Sequence, residues 1–168
     1  MKLLSSNKKI KEKKLKDYIV NNQESFYKIA YSYVKNQDDA LDIVHDSICK
    51  ALSKLDSLKD EEVIKPWFYK ILVNSSIDYI RKNNKYVTLS EEKLATEYNS
   101  NDIYIDIDLE RALEKLPEEY RIIIVLRYFE DMKIDDIANV LSQNTNTIKT
   151  KLYTGLRRLK IKMETEDY

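Results

Sequence analysis

Apolar residues recur at the spacing of an α-helix along most of the chain, and the pattern is clearest in the C-terminal third. Two apolar stripes lie close together there, formed by Ile134, Ile137, Ala138 and Leu141 and by Ile148, Leu152, Leu156 and Leu159. The residues between them, 142–146, include no apolar side chain, and Asn144 is placed to cap the second helix. The pattern predicts two helices joined by a tight turn, as in a helix-turn-helix.

The same periodicity predicts further helices earlier in the chain. One begins near Tyr18, and a second would be capped by Asp38 or Asp39. A third has Pro66 in its first turn, and a break near Pro117 separates two helices of the C-terminal part. The apolar stripe of the first helix is Phe26, Ile29, Ala30, Tyr33 and Val34, and that of the second is Ala40, Ile43 or Val44, Ile48, Ala51, Leu52 and Leu55. In the C-terminal part, on either side of Pro117, the stripe is Leu109, Leu113, Leu116, Ile123 or Ile124 and Leu126.

The chain is therefore expected to be all-α, with two small helical domains at residues 18–85 and 109–163. Residues 86–108 lose helical periodicity, and ten carboxylates face three basic residues between positions 90 and 119. We interpret residues 86–108 as a flexible acidic linker that is repelled by DNA and acts as a spacer or as a DNA mimic. Residues 1–17 are interpreted as a mobile basic arm, because residues 1–16 carry seven lysines, one glutamate and few apolar side chains.

Composition excludes several classes of protein. One Gly and two Pro in 168 residues provide few tight turns, and a single Gly cannot form a glycine-rich phosphate loop. One Cys and one His cannot complete a tetrahedral metal site or a disulfide. We expect no metal, no cofactor and no catalytic residue. The absence of a long apolar run near the N-terminus indicates a cytoplasmic protein.

The distribution of charge is informative because the total is balanced, with 29 basic and 29 acidic residues. Residues 143–163 include six cations and no acidic residue. On this predicted second helix, Lys149, Thr150, Tyr153 and Thr154 are expected to face DNA base edges. Phosphate contacts are expected from Lys151, Arg157 and Arg158. The alternative interpretation is a solvated amphipathic hairpin.

Aromatic and basic side chains alternate in the predicted third helix. Trp67, Phe68, Tyr69 and Tyr79 lie close in sequence to Lys65, Lys70, Arg81, Lys82 and Lys85. Rings that stack on bases beside cations that follow the backbone are typical of single-stranded nucleic-acid sites. The alternative is that Trp67 and Phe68 belong to the core, and for Trp67 we favour it.

These stretches together resemble the bacterial RNA polymerase sigma factors of the extracytoplasmic-function group. The second-region likeness covers residues 26–82 and is clearest in DDALDIVHDSICKAL and PWFYKILVNSSIDYIRK. The second of these stretches matches the family's Trp, Asn, Asp, Arg pattern at Trp67, Asn74, Asp78 and Arg81. The fourth-region likeness covers residues 116–160 and is the more specific. The chain departs from the family pattern at Leu41, His45, Ile48, Ser142, Thr154 and Gly155, which leaves the promoter sequence open.

The resemblance implies a distribution of roles along the chain. The helix-turn-helix would read the minus-thirty-five element as duplex, and the linker would thread the polymerase channel. The side chains implied in docking on a coiled coil of the polymerase's largest subunit are Asp39, Asp42, Ile43 and Asp46. An unstacked base of the melted minus-ten strand would be captured by the loop 56–65 and the helix after it, through Leu58, Lys59, Asp60, Asn74, Asp78, Arg81 and Lys82.

The resemblance also implies partners. These are core RNA polymerase, promoter DNA and an anti-sigma protein, often membrane-bound, although nothing in the sequence shows the last. Catalysis would belong to the polymerase, so the chain is expected to be no enzyme and to have no small-molecule substrate. Two other classes stay open: a stand-alone helix-turn-helix regulator, and a structural helical adaptor that would leave the acid-free basic stretch unexplained.

Overall fold

The structure, a computed structural model, describes residues 2–84 and 107–166, which belong to two compact units. Every regular element within these residues is helical, which confirms the predicted all-α class. The predicted linker lies outside the described residues except for positions 107 and 108, which already belong to a helix.

The first unit consists of three helices that pack against one another in every pairing: α1 (Lys2–Val34), α2 (Gln37–Ser53) and α3 (Ile64–Asn84). Four aromatic rings meet at its centre, where the centroids of Phe26 and Phe68 are 4.3 Å apart and Tyr18 and Tyr69 approach them at steep angles. Such offset and edge contacts stabilise the core beyond the area that the rings bury. The remaining large core residues are Leu15, Ile19, Ile29, Tyr33, Ile43, Val44, Leu55, Leu58, Ile64, Ile71 and Leu72.

The mobile-arm interpretation of residues 1–17 is wrong for the described residues 2–17, because α1 begins at Lys2 rather than near Tyr18. Leu15 is fully buried and Ile19 is 5% exposed, so the helix is held by core contacts well before the predicted start. Lysines further toward the N-terminus contact the segment between α2 and α3. The stabilising partners are tertiary, and local composition could not indicate them.

The start of α2 also differs from the prediction. Asn36, in extended conformation, caps the helix by accepting a hydrogen bond on its Oδ1 from the backbone N–H of Asp39 at 2.9 Å. The predicted caps, Asp38 and Asp39, lie instead in the first turn, where carboxylates interact favourably with the helix dipole.

Residues 54–63, which we call the α2–α3 connection, contain two short 3-10 turns at Leu55–Ser57 and Glu61–Val63. Leu55 and Leu58 anchor the connection in the core. Asp60 caps the second turn through a hydrogen bond from the backbone N–H of Glu62. The connection is therefore ordered by its own contacts although most of its side chains are exposed.

The second unit contains α4 (Ile107–Glu114), α5 (Glu118–Ile124), α6 (Ile134–Leu141) and α7 (Thr145–Glu166). A π-helical turn at Val125–Phe129 extends α5. Pro117 precedes α5, as its position predicted. The buried guanidinium of Arg121 donates to the carbonyls of Glu114 and Leu116, and so satisfies backbone groups at the end of α4.

The predicted helix-turn-helix is formed by α6 and α7. Ser142 ends α6 with a φ of 53°, a left-handed conformation that glycine often supplies. Asn144 caps α7 by accepting a hydrogen bond from the backbone N–H of Thr147 at 2.8 Å, which confirms the predicted cap. Ile137, Ala138, Ile148, Leu152 and Leu159 of the two predicted stripes are buried.

Candidate nucleic-acid interface

The outward face of α7 presents most of the residues that were predicted to read bases. Lys149, Thr150 and Tyr153 are exposed, with Tyr153 at 69%, and Thr154 is half-buried. Arg157 is exposed one turn after Tyr153 on the same face. The buried stripe on the opposite side of α7 fixes which residues point outward, so this face is a consequence of core packing.

Lys151 and Arg158, the other predicted phosphate contacts, lie on the flank of α7 that meets α5. The Nζ of Lys151 is 3.0 Å from a carboxylate oxygen of Glu119. The guanidinium of Arg158 lies over the ring of Tyr120 at 4.7 Å from its centroid. Both cations thus have partners within the unit and are less available to DNA than Arg157.

A carboxylate near the recognition helix was not anticipated. Residues 143–163 have no acid of their own, but Glu119 of α5 places one beside Lys151. Helix-to-helix contacts of this kind carry no periodic signal in the sequence. Of the cations predicted to contact DNA, Lys149 and Arg157 lie on the outward face, whereas Lys151 lies beside a carboxylate of α5.

The glycine in α7 lets the recognition helix approach α5 closely. A Cβ built on Gly155 would lie 3.0 Å from the Cβ of Tyr120 and 3.2 Å from the Cδ1 of Ile124. These distances are shorter than the optimum separation of about 3.5–4.0 Å between carbon atoms. The departure at Gly155 therefore has a packing role and does not alter the outward face.

In the first unit, one face of α3 carries four of the predicted strand-binding residues. Asn74, Asp78, Arg81 and Lys82 are all exposed, and their spacing places them along one side of the helix. Arg81 and Asp78 are 3.9 Å apart, a loose ion pair that leaves both side chains largely in solvent. The opposite side, with Leu72, Val73 and Ser76, is buried, so the structure brings these four together as one surface.

The loop residues of the predicted site do not all reach the surface. Lys59 and Asp60 are exposed, whereas Leu58 is fully buried, so the assignment of the Leu58 side chain to base binding is wrong. Leu58 anchors the connection to the core instead. The connection ends before Ile64, the first residue of α3, and Asn74 lies ten residues further along that helix, or about 15 Å.

The aromatic residues near the start of α3 have divided roles. Phe68 and Tyr69 are fully buried, so they belong to the core and cannot stack on bases. Trp67, for which we favoured the core, is half-buried and keeps part of its ring accessible. Of these three consecutive rings, only Trp67 can offer a stacking surface.

The acidic face of α2 is less uniform than the sequence suggests. Asp42 is exposed, Asp46 pairs with Lys50 at 2.7 Å, and Asp39 accepts a hydrogen bond from the Tyr79 hydroxyl at 2.6 Å. The hydrogen bond to Asp39, together with burial, raises the pKa of Tyr79 above its ordinary value. Ile43 is 1% exposed, so its assignment as a docking contact is wrong: its side chain faces the core between the helices.

The link from Tyr79 to Asp39 was missed in the sequence because the two residues are forty positions apart. It joins α3, which carries the candidate strand-binding face, to the first turn of α2, which carries the acidic face. The phenol donates a hydrogen bond to the carboxylate, so Asp39 is oriented by a neighbouring helix rather than by solvent alone.

Within residues 2–84 and 107–166, no group of three or more His, Cys, Asp and Glu side chains is arranged to hold a metal ion. No helix among these residues is both long enough and apolar enough to cross a membrane.

Comparison with known proteins connects these features. Residues 19–86 match the family described as Sigma-70 region 2, and residues 106–159 match Sigma-70, region 4. The chain is similar to the RNA polymerase sigma factor SigV of Bacillus subtilis (strain 168), with 47% identity over 150 residues, covering 89% of this chain and 90% of SigV. It is also similar to the ECF RNA polymerase sigma factor SigW of the same strain, with 27% identity and 82% of each chain covered.

Two solved structures share the fold. The sigma factor RpoE from Bartonella quintana, in complex with the anti-sigma factor NepR, has a TM-score of 0.74 at 24% identity, covering 89% of this chain and 96% of RpoE. CnrH, in complex with the cytosolic domain of CnrY, has a TM-score of 0.62 at 18% identity, covering 90% of this chain and 88% of CnrH.

Proposed function

Because the chain belongs to the extracytoplasmic-function group of the sigma-70 family of RNA polymerase sigma factors, we propose how individual residues of its two units divide the work of transcription initiation. As a sigma factor, it directs core polymerase to promoters. The match of residues 19–86 to region 2 disfavours a stand-alone helix-turn-helix regulator, which would have no use for that unit.

The outward face of α7 reads the minus-thirty-five element as duplex. Lys149, Thr150 and Tyr153 lie near the start of the helix, where a recognition helix meets base edges, and Thr154 extends this group toward the flank. Arg157 holds a phosphate further along. Lys151 and Arg158 contribute to phosphate binding less directly, because Glu119 and Tyr120 already engage them.

The exposed face of α3 receives the melted minus-ten strand. The amide of Asn74 can both donate to and accept from a base edge, while Arg81 and Lys82 follow the phosphates. Asp78 can accept a hydrogen bond from a base amino group or orient Arg81. Lys59 and Asp60 in the α2–α3 connection contact the same strand, and the accessible part of the Trp67 ring offers a stacking surface.

The acidic face of α2 docks on a basic coiled coil of the polymerase's largest subunit. Asp42 is the carboxylate most available to a cationic partner. Asp39 and Asp46 are held by Tyr79 and Lys50, so Asp46 would exchange Lys50 for a polymerase cation on docking. Electrostatic contacts of this kind favour the rate and the orientation of association.

The protein is a regulatory initiation factor, and the chemistry of RNA synthesis belongs to the polymerase. We propose no catalytic residue, cofactor or small-molecule substrate for it. Because it acts together with the polymerase on DNA, its proposed location is the cytoplasm.

An anti-sigma protein is the proposed inhibitor. RpoE, which shares the fold, was solved in complex with the anti-sigma factor NepR, and CnrH was solved in complex with the cytosolic domain of CnrY. The complex of CnrH contains a cytosolic domain of CnrY, which is compatible with a partner anchored in a membrane. A protein that covers the exposed faces of α2 or α7 would prevent polymerase docking or duplex binding.

The observation that supports this assignment is that the chain has two distinct exposed faces. The recognition helix α7, which is capped by Asn144, presents Lys149 and Arg157, and α3 presents the amide of Asn74 with the cations Arg81 and Lys82. The test uses holoenzyme assembled from core polymerase and the full chain, on a duplex promoter and on the same promoter opened by mismatch across the minus-ten element. Substitutions on the α7 face should weaken binding to both templates, whereas Asn74→Ala on α3 should impair opening of the duplex promoter and should be rescued in that step on the template that is already open. Sequence-specific binding by the chain alone, unaffected by core polymerase, would favour the stand-alone regulator.

A further inference from the structure

Three lysines on successive turns of α1 reach the α2–α3 connection. Lys8 pairs with Asp56 at 3.2 Å, Lys11 donates to the backbone carbonyl of Leu58 at 2.7 Å, and Lys14 pairs with Glu61. The order of partners follows the order of the lysines, so the connection runs alongside α1 in the same direction.

The middle contact is the most constrained of the three. The Nζ of Lys11 and the Leu58 carbonyl are partly buried, and the Leu58 side chain is fully buried beneath them. A charged donor on a backbone carbonyl fixes the path of the chain rather than the rotamer of one side chain. Because Lys59 and Asp60 follow Leu58 directly, the contact from Lys11 to the Leu58 carbonyl also helps to fix the position of these two residues.

Charge gives the three lysines a second role. The α2–α3 connection contains four carboxylates and two lysines, a net charge of −2, which is unfavourable beside the phosphates of a DNA strand. The three lysines of α1 change the local sum to +1 and contact two of these carboxylates directly. Without them, the connection would repel the strand that it is proposed to receive.

We propose that Lys8, Lys11 and Lys14 are positioning residues that hold the α2–α3 connection in the shape and charge state needed to receive the melted minus-ten strand. This inference rests on the proposed role of the connection. It assigns to the N-terminal turns of α1 a part in the choice of minus-ten sequence, through the connection and without contact to DNA.

The test compares sets of variants in the full chain with core polymerase. Lys11→Gln removes the contact to the Leu58 carbonyl, and Lys9→Gln removes an exposed lysine of the same helix as the matched control. Lys14→Glu reverses one charge of a pair, and the double variant Lys14→Glu/Glu61→Lys restores the pair with its signs exchanged. Lys11→Arg keeps a charged donor at the central position.

The main measurement is the preference of each holoenzyme among templates that are already open and differ only in minus-ten sequence. Lys11→Gln and Lys14→Glu should each reduce this preference by about five-fold, the factor expected for one lost hydrogen bond. The exchanged pair and Lys11→Arg should recover most of it, and Lys9→Gln should match the natural chain. Binding to the minus-thirty-five duplex should be unchanged throughout.

Two controls make the outcomes distinct. The fluorescence of Trp67, the only tryptophan, follows unfolding of the first unit and shows whether a variant is folded. Lys59→Ala tests the role of the connection itself: no effect on minus-ten preference would contradict that part of the proposed function. The inference alone would be overturned if Lys59→Ala reduces minus-ten preference as expected but Lys9→Gln and Lys11→Gln reduce it equally. It would also be overturned if the exchanged pair Lys14→Glu/Glu61→Lys does not recover that preference.

Discussion

Replacement of Gly155 tests how closely the recognition helix must approach α5. An alanine in a helix interior is more favourable than glycine by about 1 kcal/mol, so propensity alone would make Gly155→Ala stabilising. The added Cβ, however, would meet Tyr120 at 3.0 Å and Ile124 at 3.2 Å. Relief of these contacts requires the two helices to separate slightly, and overpacking of this kind costs about 1–3 kcal/mol.

The expected net result is a loss of about 0–2 kcal/mol for Gly155→Ala, and about 3 kcal/mol or more for Gly155→Leu, whose side chain cannot be accommodated. A loss of about 1 kcal/mol lowers the melting temperature of a unit of this size by about 4–8 °C. Because α7 would move away from α5, affinity for the minus-thirty-five duplex should fall in parallel.

The assay separates the two units. Far-UV circular dichroism follows both, whereas fluorescence from the single tryptophan, Trp67, follows the first unit alone. The substitutions should shift the dichroism transition of the second unit and leave the fluorescence transition unchanged. An increase in stability of about 1 kcal/mol for Gly155→Ala, the whole gain expected from helix propensity, would refute the argument from close packing.

Four further predictions concern function and pH. Asn74→Ala should impair transcription from a duplex promoter, because contacts to the flipped base must offset an unstacking cost of a few kcal/mol. If the variant has normal stability, a template whose minus-ten region is already open should restore the melting step. Equal defects on both templates would contradict this. Lys149→Ala should cost about 1–3 kcal/mol and relax sequence preference at one position, whereas Arg157→Ala should weaken all duplexes alike; identical sequence profiles would exclude these roles. Asp42→Lys should reduce core-polymerase association and the dependence of its rate on salt, measured by stopped-flow, and unchanged rates would indicate a merely solvated face. The hydrogen bond to Asp39 raises the pKa of Tyr79 above 10.0, so the bond should stabilise the fold fully up to about pH 10 and lose this effect as pH rises through the raised pKa. Tyr79→Phe, which lacks the hydroxyl, should not show this alkaline loss of stability. Stability curves of equal shape for the two proteins would argue against the bond.

Sequence periodicity was sufficient for the parts of the fold that depend on local pattern. The stripe through Ile148, Leu152 and Leu159 identified the buried face of α7 and hence its outward face. Asn144 and Pro117 marked helix starts because capping and proline geometry act within a few residues.

The features that escaped prediction depend on contacts between distant residues. The N-terminal turns of α1 are held by Leu15 in the core and by contacts to residues 47 or 48 positions away, so a lysine-rich composition was misleading. Lys151 and Arg158 were predicted to contact phosphates, and their partners on α5 could not be found from helical spacing. Ile43 and Leu58 were assigned to partners from their place in the motif, although packing directs both side chains inward.

Promoter choice by core polymerase is the function that the chain is expected to supply. It is tested most directly by mapping the 5′ ends of transcripts made from genomic DNA by core polymerase with the natural chain, with the Lys149→Ala or Asn74→Ala variant, or without it. We predict a defined set of start sites that share two spaced elements and appear only with the chain, with Lys149→Ala altering the upstream element and Asn74→Ala reducing initiation at closed promoters. The same set of start sites with and without the chain would contradict this role.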